Sequence, residues 1–512
     1  MSASIARTLP LLRARPAVLL CALMAASALS LALASPAHAA RGDLKIGMSI
    51  EPAGLDPTIA APVAIGQVTW QNIFEGLVRL TEKGEIKPQL AKSWTISPDG
   101  LTYSFTLQPG VTFSNGEAFS SETAKFTLDR ARGDSSVNPQ KRFFAAIDSI
   151  ETPDATTLVL HLKEPAGNLL YHLTWPAAVM VEPKSADTDK TDPVGTGPFI
   201  LKSWTKGDRL ELTARKDYWD KDKKVALSDI TFRFINDPQA QVAALKGGDV
   251  DAFPELGAPE LFDGFKDDKK FIAYAGNTEL KVVAGMNNTR PPFNDKRVRQ
   301  ALMMAVDRST LIEGAWSGLG TPIGSHYTPN DPGYVDETGK LAYDPEKAKA
   351  LLKEAGYGNG LTFSIKAPQM SYATRTSEVL QAMLTDVGVT MNIVPTEFPA
   401  KWLPEVFKGH DFDMTIVAHA EPMDIDIYSR PDYYFGYKNP AFNDTIATAE
   451  KTTDDTKRAE LYGAAQAMLA EDVPALYLYV LPKLGIWDAR LEGLWKDEPI
   501  PSNDLTEVHW KE

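Results

Sequence analysis

The 512-residue sequence contains one cysteine, Cys21. It lies inside an apolar run from Pro16 to Ala34, preceded by Arg7, Arg13 and Arg15 and followed by Ser35-Pro36-Ala37-His38-Ala39. A basic start, an apolar middle and an A-x-A end predict a secretory signal over residues 1–39, cut between Ala39 and Ala40. Ala22-Leu23-Met24 continue the run beyond Cys21, so the pattern is not that of an acylated cysteine. The expected mature chain therefore has no cysteine, which excludes disulfides and thiol nucleophiles. A chain of this size can bury enough apolar surface without such staples. No later run is long and apolar enough to suggest a membrane span.

Other absences narrow the chemistry further. Removing 39 of 512 residues, three of them arginines, takes the formal charge from −14 to −17 over 473 residues. Such an acidic chain is a poor partner for nucleic acid or anionic membranes. The remaining histidines are His161, His172, His326, His410, His419 and His509, and no two have helix-face ligand spacing. The sequence thus predicts no metal site and no cofactor. G-x-S-x-G, Walker A, G-x-G-x-x-G and H-E-x-x-H are all missing. Gly195-Thr196-Gly197 runs straight into Pro198, not into a helix start, so it does not read as a phosphate cradle. The expectation is a protein that is not an enzyme.

Strand and helix signals alternate along the chain. Leu101 to Leu107, Thr157 to Leu162, Leu210 to Thr213, Ile230 to Ile235, Leu361 to Ile365 and Val389 to Val394 read as strands. From Asp295, the positions Val298, Ala301, Leu302, Ala305, Val306 and Leu311 follow a helical period. Asp344-Pro345 opens a second helix that Gly356 stops, and a third runs from about Thr374 to Gly388. This mixture predicts an α/β protein of two or three domains. Asp99-Gly100 reads as a hairpin turn, with Trp94, Tyr103 and Phe105 facing a core.

An ordered set of motifs carries a resemblance. Ala91-Lys92-Ser93-Trp94 to Leu107, followed by Val111-Thr112-Phe113-Ser114-Asn115-Gly116, is similar to a signature of the peptide/nickel/opine class (family 5) of ABC-transporter solute-binding proteins. Leu55-Asp56-Pro57, Phe74-Glu75-Gly76-Leu77, Val194 to Phe199, Asn287-Asn288, Pro292-Phe293-Asn294-Asp295, Val298-Arg299-Gln300-Ala301 and Tyr343-Asp344-Pro345 follow in the family's order. Asn115 departs from the usual Asp. The resemblance implies a type II periplasmic-binding-protein fold of the large cluster, with two lobes closing like a Venus flytrap and an extra third subdomain. It places lobe I at residues 40–77, 195–280 and 481–512, the extra subdomain at 78–194, and lobe II at 281–480. It also implies a monomeric periplasmic receptor that hands a small solute to an ABC permease and ATPase complex.

The resemblance directs attention to particular side chains. In peptide-binding relatives an Asp in a G-W-x-x-D-x-x-[DE]-P segment holds the ligand's ammonium. Counting back from Glu421-Pro422, Ala418 occupies that place here, and alignment from upstream leaves the segment several residues short. Beyond it, acids and aromatics interleave through Asp424, Asp426, Tyr428 and Asp432 to Tyr437, a mixture suited to a polar or cationic solute. Glu421, His419 and Asp424 are ligand candidates, whereas Asp426 and Asp432 read as solvated. Arg375 stands where relatives place a carboxylate-binding Arg near a helix start. Tyr372 and Trp402 are candidate aromatic walls. Ala61 and Val63 match a loop whose main chain touches ligand. The solute class expected is an opine-like or modified amino-acid compound, a short peptide or a sugar derivative. A nickel chelate, a sensory receptor subunit and a secreted hydrolase are the alternatives.

Overall fold

A computed structural model describes residues 41–60, 63–421 and 423–511. The expected signal segment with Cys21 lies outside the described residues, as does Ala61. Residues 42–509 form one compact unit, built on an 11-stranded sheet. At one end, Asp43–Met48 pairs in parallel with Asp229–Phe234, which continues antiparallel to Arg209–Ala214 and then to Phe199–Thr205. At the other end, Leu361–Pro368 lies parallel to both Val389–Thr396 and Met414–His419. The long strands Phe271–Met286 and Ala475–Asp488 join the two halves as an antiparallel pair.

These long strands explain the architecture. Ala475–Asp488 is buried at every position except Pro482, because both faces of the sheet are covered. A strand covered on both sides carries no polar alternation, so period-two reading passes over it. The pairing register with Phe271–Met286 breaks between Asn277 and Lys281. A register break bends and twists a ladder locally, and here it falls where the sheet passes from one half to the other.

Local sequence sets the helices around this sheet. Asp344 accepts from Lys347 N, and Pro345 begins the helix Pro345–Glu354. Gly356 beyond it has φ of 93°. The helix expected from Asp295 through Leu311 is instead two, Lys296–Met304 and Arg308–Trp316. The Asp307 carboxylate accepts from Ser309 N and Thr310 N, and that cap ends one periodic run and starts another. The helix Ser371–Thr385 begins slightly before its expected start.

A separate four-stranded antiparallel sheet holds Ala91–Ile96, Thr102–Leu107, Thr157–Leu162 and Ile147–Asp154. Gly100 turns its first hairpin at φ of 71°. Tyr103 and Phe105 are buried there. Trp94, expected in the core, is only half-buried and faces a cavity of about 560 Å³.

Two of the ordered motifs meet in one joint. A Cβ on Gly195 would lie 1.9 Å from Ile73 O, so no larger residue fits without displacing that backbone. Thr196 Oγ1, Tyr218 OH and Trp219 Nε1 all donate to the buried Glu75 carboxylate at 2.7–2.8 Å. Burial pushes Glu75 above its ordinary pKa, and those three donors act against the shift. These motif residues hold the fold together.

Candidate functional site

The candidate segment grows out of the sheet. Met414–His419 pairs antiparallel with Lys281–Met286, placing His419 opposite Lys281. The chain then leaves the ladder, and Met423 adopts a left-handed conformation at φ of 55° before the 3-10 turn Asp424–Tyr428. Lys281 anchors this departure. Its Nζ donates to Glu421 O at 2.7 Å and lies 3.0 Å from Asp424 Oδ1. Lysine and aspartate side chains here are 0% and 2% exposed. Burial opposes the charge on each, yet their mutual attraction prevails: Asp424 is held well below the usual carboxylate range and Lys281 is raised.

The segment's outward side chains cross to another part of the molecule. Glu421 accepts from Gln140 Nε2 at 3.0 Å and pairs with Arg142 at 2.7 Å. Arg142 also reaches Asp426 at 3.2 Å. Asp426, expected to be solvated, is mostly covered and bonds Arg430 as well. Burial disfavours charge on Arg142, but Asp426 and Glu421 outweigh that and raise its pKa.

Arg375 makes the second crossing. Both of its terminal nitrogens bond Glu260, at 3.0 and 3.2 Å. Arg375 lies on the helix packed against the Leu361–Pro368 half of the sheet, whereas Glu260 belongs to the short helix Pro259–Phe262. Both side chains are well exposed, at 38% and 51%. Pairs this wet contribute only about 0–1 kcal/mol each. They are suited to being broken and remade.

The other sequence candidates occupy supporting places. Tyr372 is buried, and its hydroxyl accepts from Ala418 N at 3.2 Å. Trp402 is buried, donating to Thr415 Oγ1 at 2.9 Å. Its ring meets Phe398, Phe407 and Tyr434, forming an aromatic group of which Phe398 and Phe407 remain exposed. His419 bonds Tyr434 OH at 3.0 Å. Val63 starts the helix Val63–Thr69 and lines a cavity of about 270 Å³ with Ile50, Gln67, Phe253, Glu255 and Asn503. The structure thus brings His419 and Asp424 together and links Tyr372 and Trp402 to the same strand and its aromatic neighbours; Arg375 stands one turn from Tyr372 on its helix, and Val63 lines a second cavity with Gln140, the partner of Glu421.

Several members of this arrangement escape sequence reading. Gln140, Arg142, Lys281 and His326 come from segments far from residues 419–426. The fold alone assembles them. Only the alternation of charge with aromatics around Asp424 hints at the cluster.

Two parts of the molecule bridged by exposed polar contacts, on a sheet whose central pair shifts register at Asn277–Lys281 and again at Val282–Val283, fit a two-lobed solute-binding protein. Residues 85–471 match the model of the bacterial extracellular solute-binding proteins, family 5. The chain belongs to that family. It is 31% identical over 496 residues to the glutathione-binding protein GsiB of Pectobacterium atrosepticum, covering 92% of this chain and 95% of that one. The Escherichia coli K12 protein of the same name is 28% identical, with 90% and 93% covered. Among solved structures, AgaA of A. tumefaciens R10 in complex with agropinic acid superposes with a TM-score of 0.76 at 26% identity, covering 92% and 99% of the two chains. DppA of Helicobacter pylori in complex with the peptide STSA gives a TM-score of 0.77 at 24% identity, again covering 92% and 99%. The relatives are binding proteins of transporters, which work with a permease and ATPase. Among the described residues, no helix is long and apolar enough to cross a membrane.

Proposed function

We propose that this chain is the periplasmic receptor of an ABC importer and carries an amino-acid-derived solute, either a short peptide of the glutathione kind or an opine. It acts by capture and release and catalyses no reaction. The supporting observation is the segment Glu421–Asp426, whose backbone is locked by buried Lys281 while its carboxylates reach across to Gln140 and Arg142. Such a segment presents polar groups at fixed positions on one bank, and its exposed partners can be exchanged for those of a ligand. Binding energy then comes from bridging both banks, and the bridged form is populated by the ligand.

The likeness to GsiB and AgaA supports a solute bearing a carboxylate. In this reading Arg375 exchanges Glu260 for a solute carboxylate, a guanidinium fork suiting either partner. Glu421 meets a cationic group, standing in for the Asp absent at Ala418. The test is a thermal-shift screen of glutathione, dipeptides, tripeptides, agropinic and mannopinic acids, and free sugars. One of the first two solute classes should stabilise the protein, by about 2.7 kcal/mol at a hundred times its Kd. A response to sugars alone would overturn the proposed solute class.

A further inference from the structure

Beside the Lys281–Asp424 pair lies a buried cluster of two histidines and a carboxylate. His326 Nε2 stands 3.0 Å from Asp424 Oδ1, and His419 Nδ1 stands 3.6 Å from Asp424 Oδ2. Ligand atoms from all three residues lie within 4.8 Å of one another. Histidines at these positions have no helix-face spacing, so the sequence alone conceals the cluster; the fold brings His326 to the end of the Met414–His419 strand. His326 is 0% exposed, His419 9% and Asp424 2%.

The outer nitrogen of each histidine is held by a tyrosine. Tyr428 OH lies 3.2 Å from His326 Nδ1, and Tyr434 OH lies 3.0 Å from His419 Nε2. When each outer N–H is donated to its phenol oxygen, each inner nitrogen turns a lone pair toward Asp424. Orientation of metal-binding imidazoles by a hydrogen bond at the far nitrogen is the usual supporting arrangement. Tetrahedral zinc with bonds near 2.05 Å places its ligand atoms about 3.3 Å apart; His326 Nε2 lies 3.0 Å from Asp424 Oδ1, and His419 Nδ1 lies 3.6 Å from the other oxygen of the same carboxylate. His326 Nε2 and Asp424 Oδ1 are also buried atoms without a well-directed hydrogen bond.

We propose that His326, His419 and Asp424 form a binding site for a divalent first-row metal ion of the zinc type, which fixes the base of the candidate segment. Asp424 then bridges the ion and Lys281. With three protein ligands, the ion would keep its fourth position for water, and its role would be to hold residues 423–426 in place.

The experiment uses the full secreted protein, stripped with EDTA and titrated with Zn²⁺ by calorimetry, with Co²⁺ absorption as a second readout. One equivalent should bind, and Co²⁺ should give the strong visible bands of a tetrahedral site. Tyr428→Phe, which keeps the ring, should weaken binding about 10- to 100-fold. His326→Gln should abolish the single-equivalent step, and His161→Gln, on the separate four-stranded sheet, should leave it unchanged. Failure of the folded wild type to take up one equivalent would overturn the proposal and leave a hydrogen-bonded network. So would unchanged affinity in Tyr428→Phe, a readout that survives even if His326→Gln does not fold.

Discussion

Lys281 and Arg142 both hold the segment 421–426 by ion pairs, at 3.0 Å to Asp424 and 2.7 Å to Glu421. The lengths are alike, but the surroundings are not. The Lys281–Asp424 pair is nearly free of solvent, whereas Arg142 and Glu421 are 38% and 40% exposed. Desolvation makes the first pair costly to assemble and still costlier to break, because a lone charge would be stranded. Water screens the second and makes it easily exchanged. The base of the segment is therefore fixed, and its connection across to Arg142 is reversible. Under the proposed function, that division would let a receptor keep its binding surface and still release its cargo.

The largest effect should come from breaking the buried pair. Lys281→Met strands Asp424 and frees Glu421 O, and should cost about 3–5 kcal/mol in denaturant unfolding. If Lys281→Met cost no more than Arg142→Ala, burial would not be what separates the two pairs. Next comes Gly195→Ala, which drives a methyl group against Ile73 O in the Glu75 joint. Its expected cost is about 1–3 kcal/mol, read in the same unfolding experiment, and wild-type stability would show that the joint is loose.

A pH titration adds a graded effect. His172 stacks on Phe143, and burial lowers its pKa to about 3. Unfolding lets it take up a proton below about pH 6.5. Stability should therefore be fully present above that value and fall as pH drops toward 3, by no more than about 1.4 kcal/mol per pH unit. His172→Gln should flatten that part of the wild-type curve; identical curves would refute the assignment. The smallest effects belong to the exposed bridges. Arg142→Ala and Arg375→Ala should each change folding stability by about 0–1 kcal/mol, with the difference shrinking in high salt. For Arg375→Ala the solute affinity should fall much further, by about 2–5 kcal/mol if the solute carboxylate replaces Glu260 in a closed cleft. Calorimetry with the best solute from the screen checks this.

How far the sequence discloses such features depends on how local their causes are. Thr157–Leu162 and Leu361–Pro368 alternate because one face of each is better covered than the other, and they are readable. The strand Ala475–Asp488 is covered on both faces and gives no alternation, although it joins the halves of the sheet. Asp344-Pro345 caps its helix within four residues and is legible, whereas the Asp307 cap interrupts a hydrophobic period that reads as continuous in the sequence. Among the candidate site residues, motif order points to Glu421, His419 and Arg375. Lys281, Arg142 and His326 act through contacts made only after folding, with no spacing rule to betray them. Glu260, the present partner of Arg375, is equally invisible in the chain.

The central claim, that solute draws two banks together about the break between Asn277 and Lys281, can be measured as a distance. Since the expected mature chain has no cysteine, Asp267→Cys and Lys408→Cys introduce two exposed labelling positions, one on the Glu260 side and one on the Trp402 side. Spin-label distances between them should be broad and long without solute, and collapse to one shorter, narrow population when the best solute from the screen is saturating. An unchanged distribution with solute bound would contradict the account.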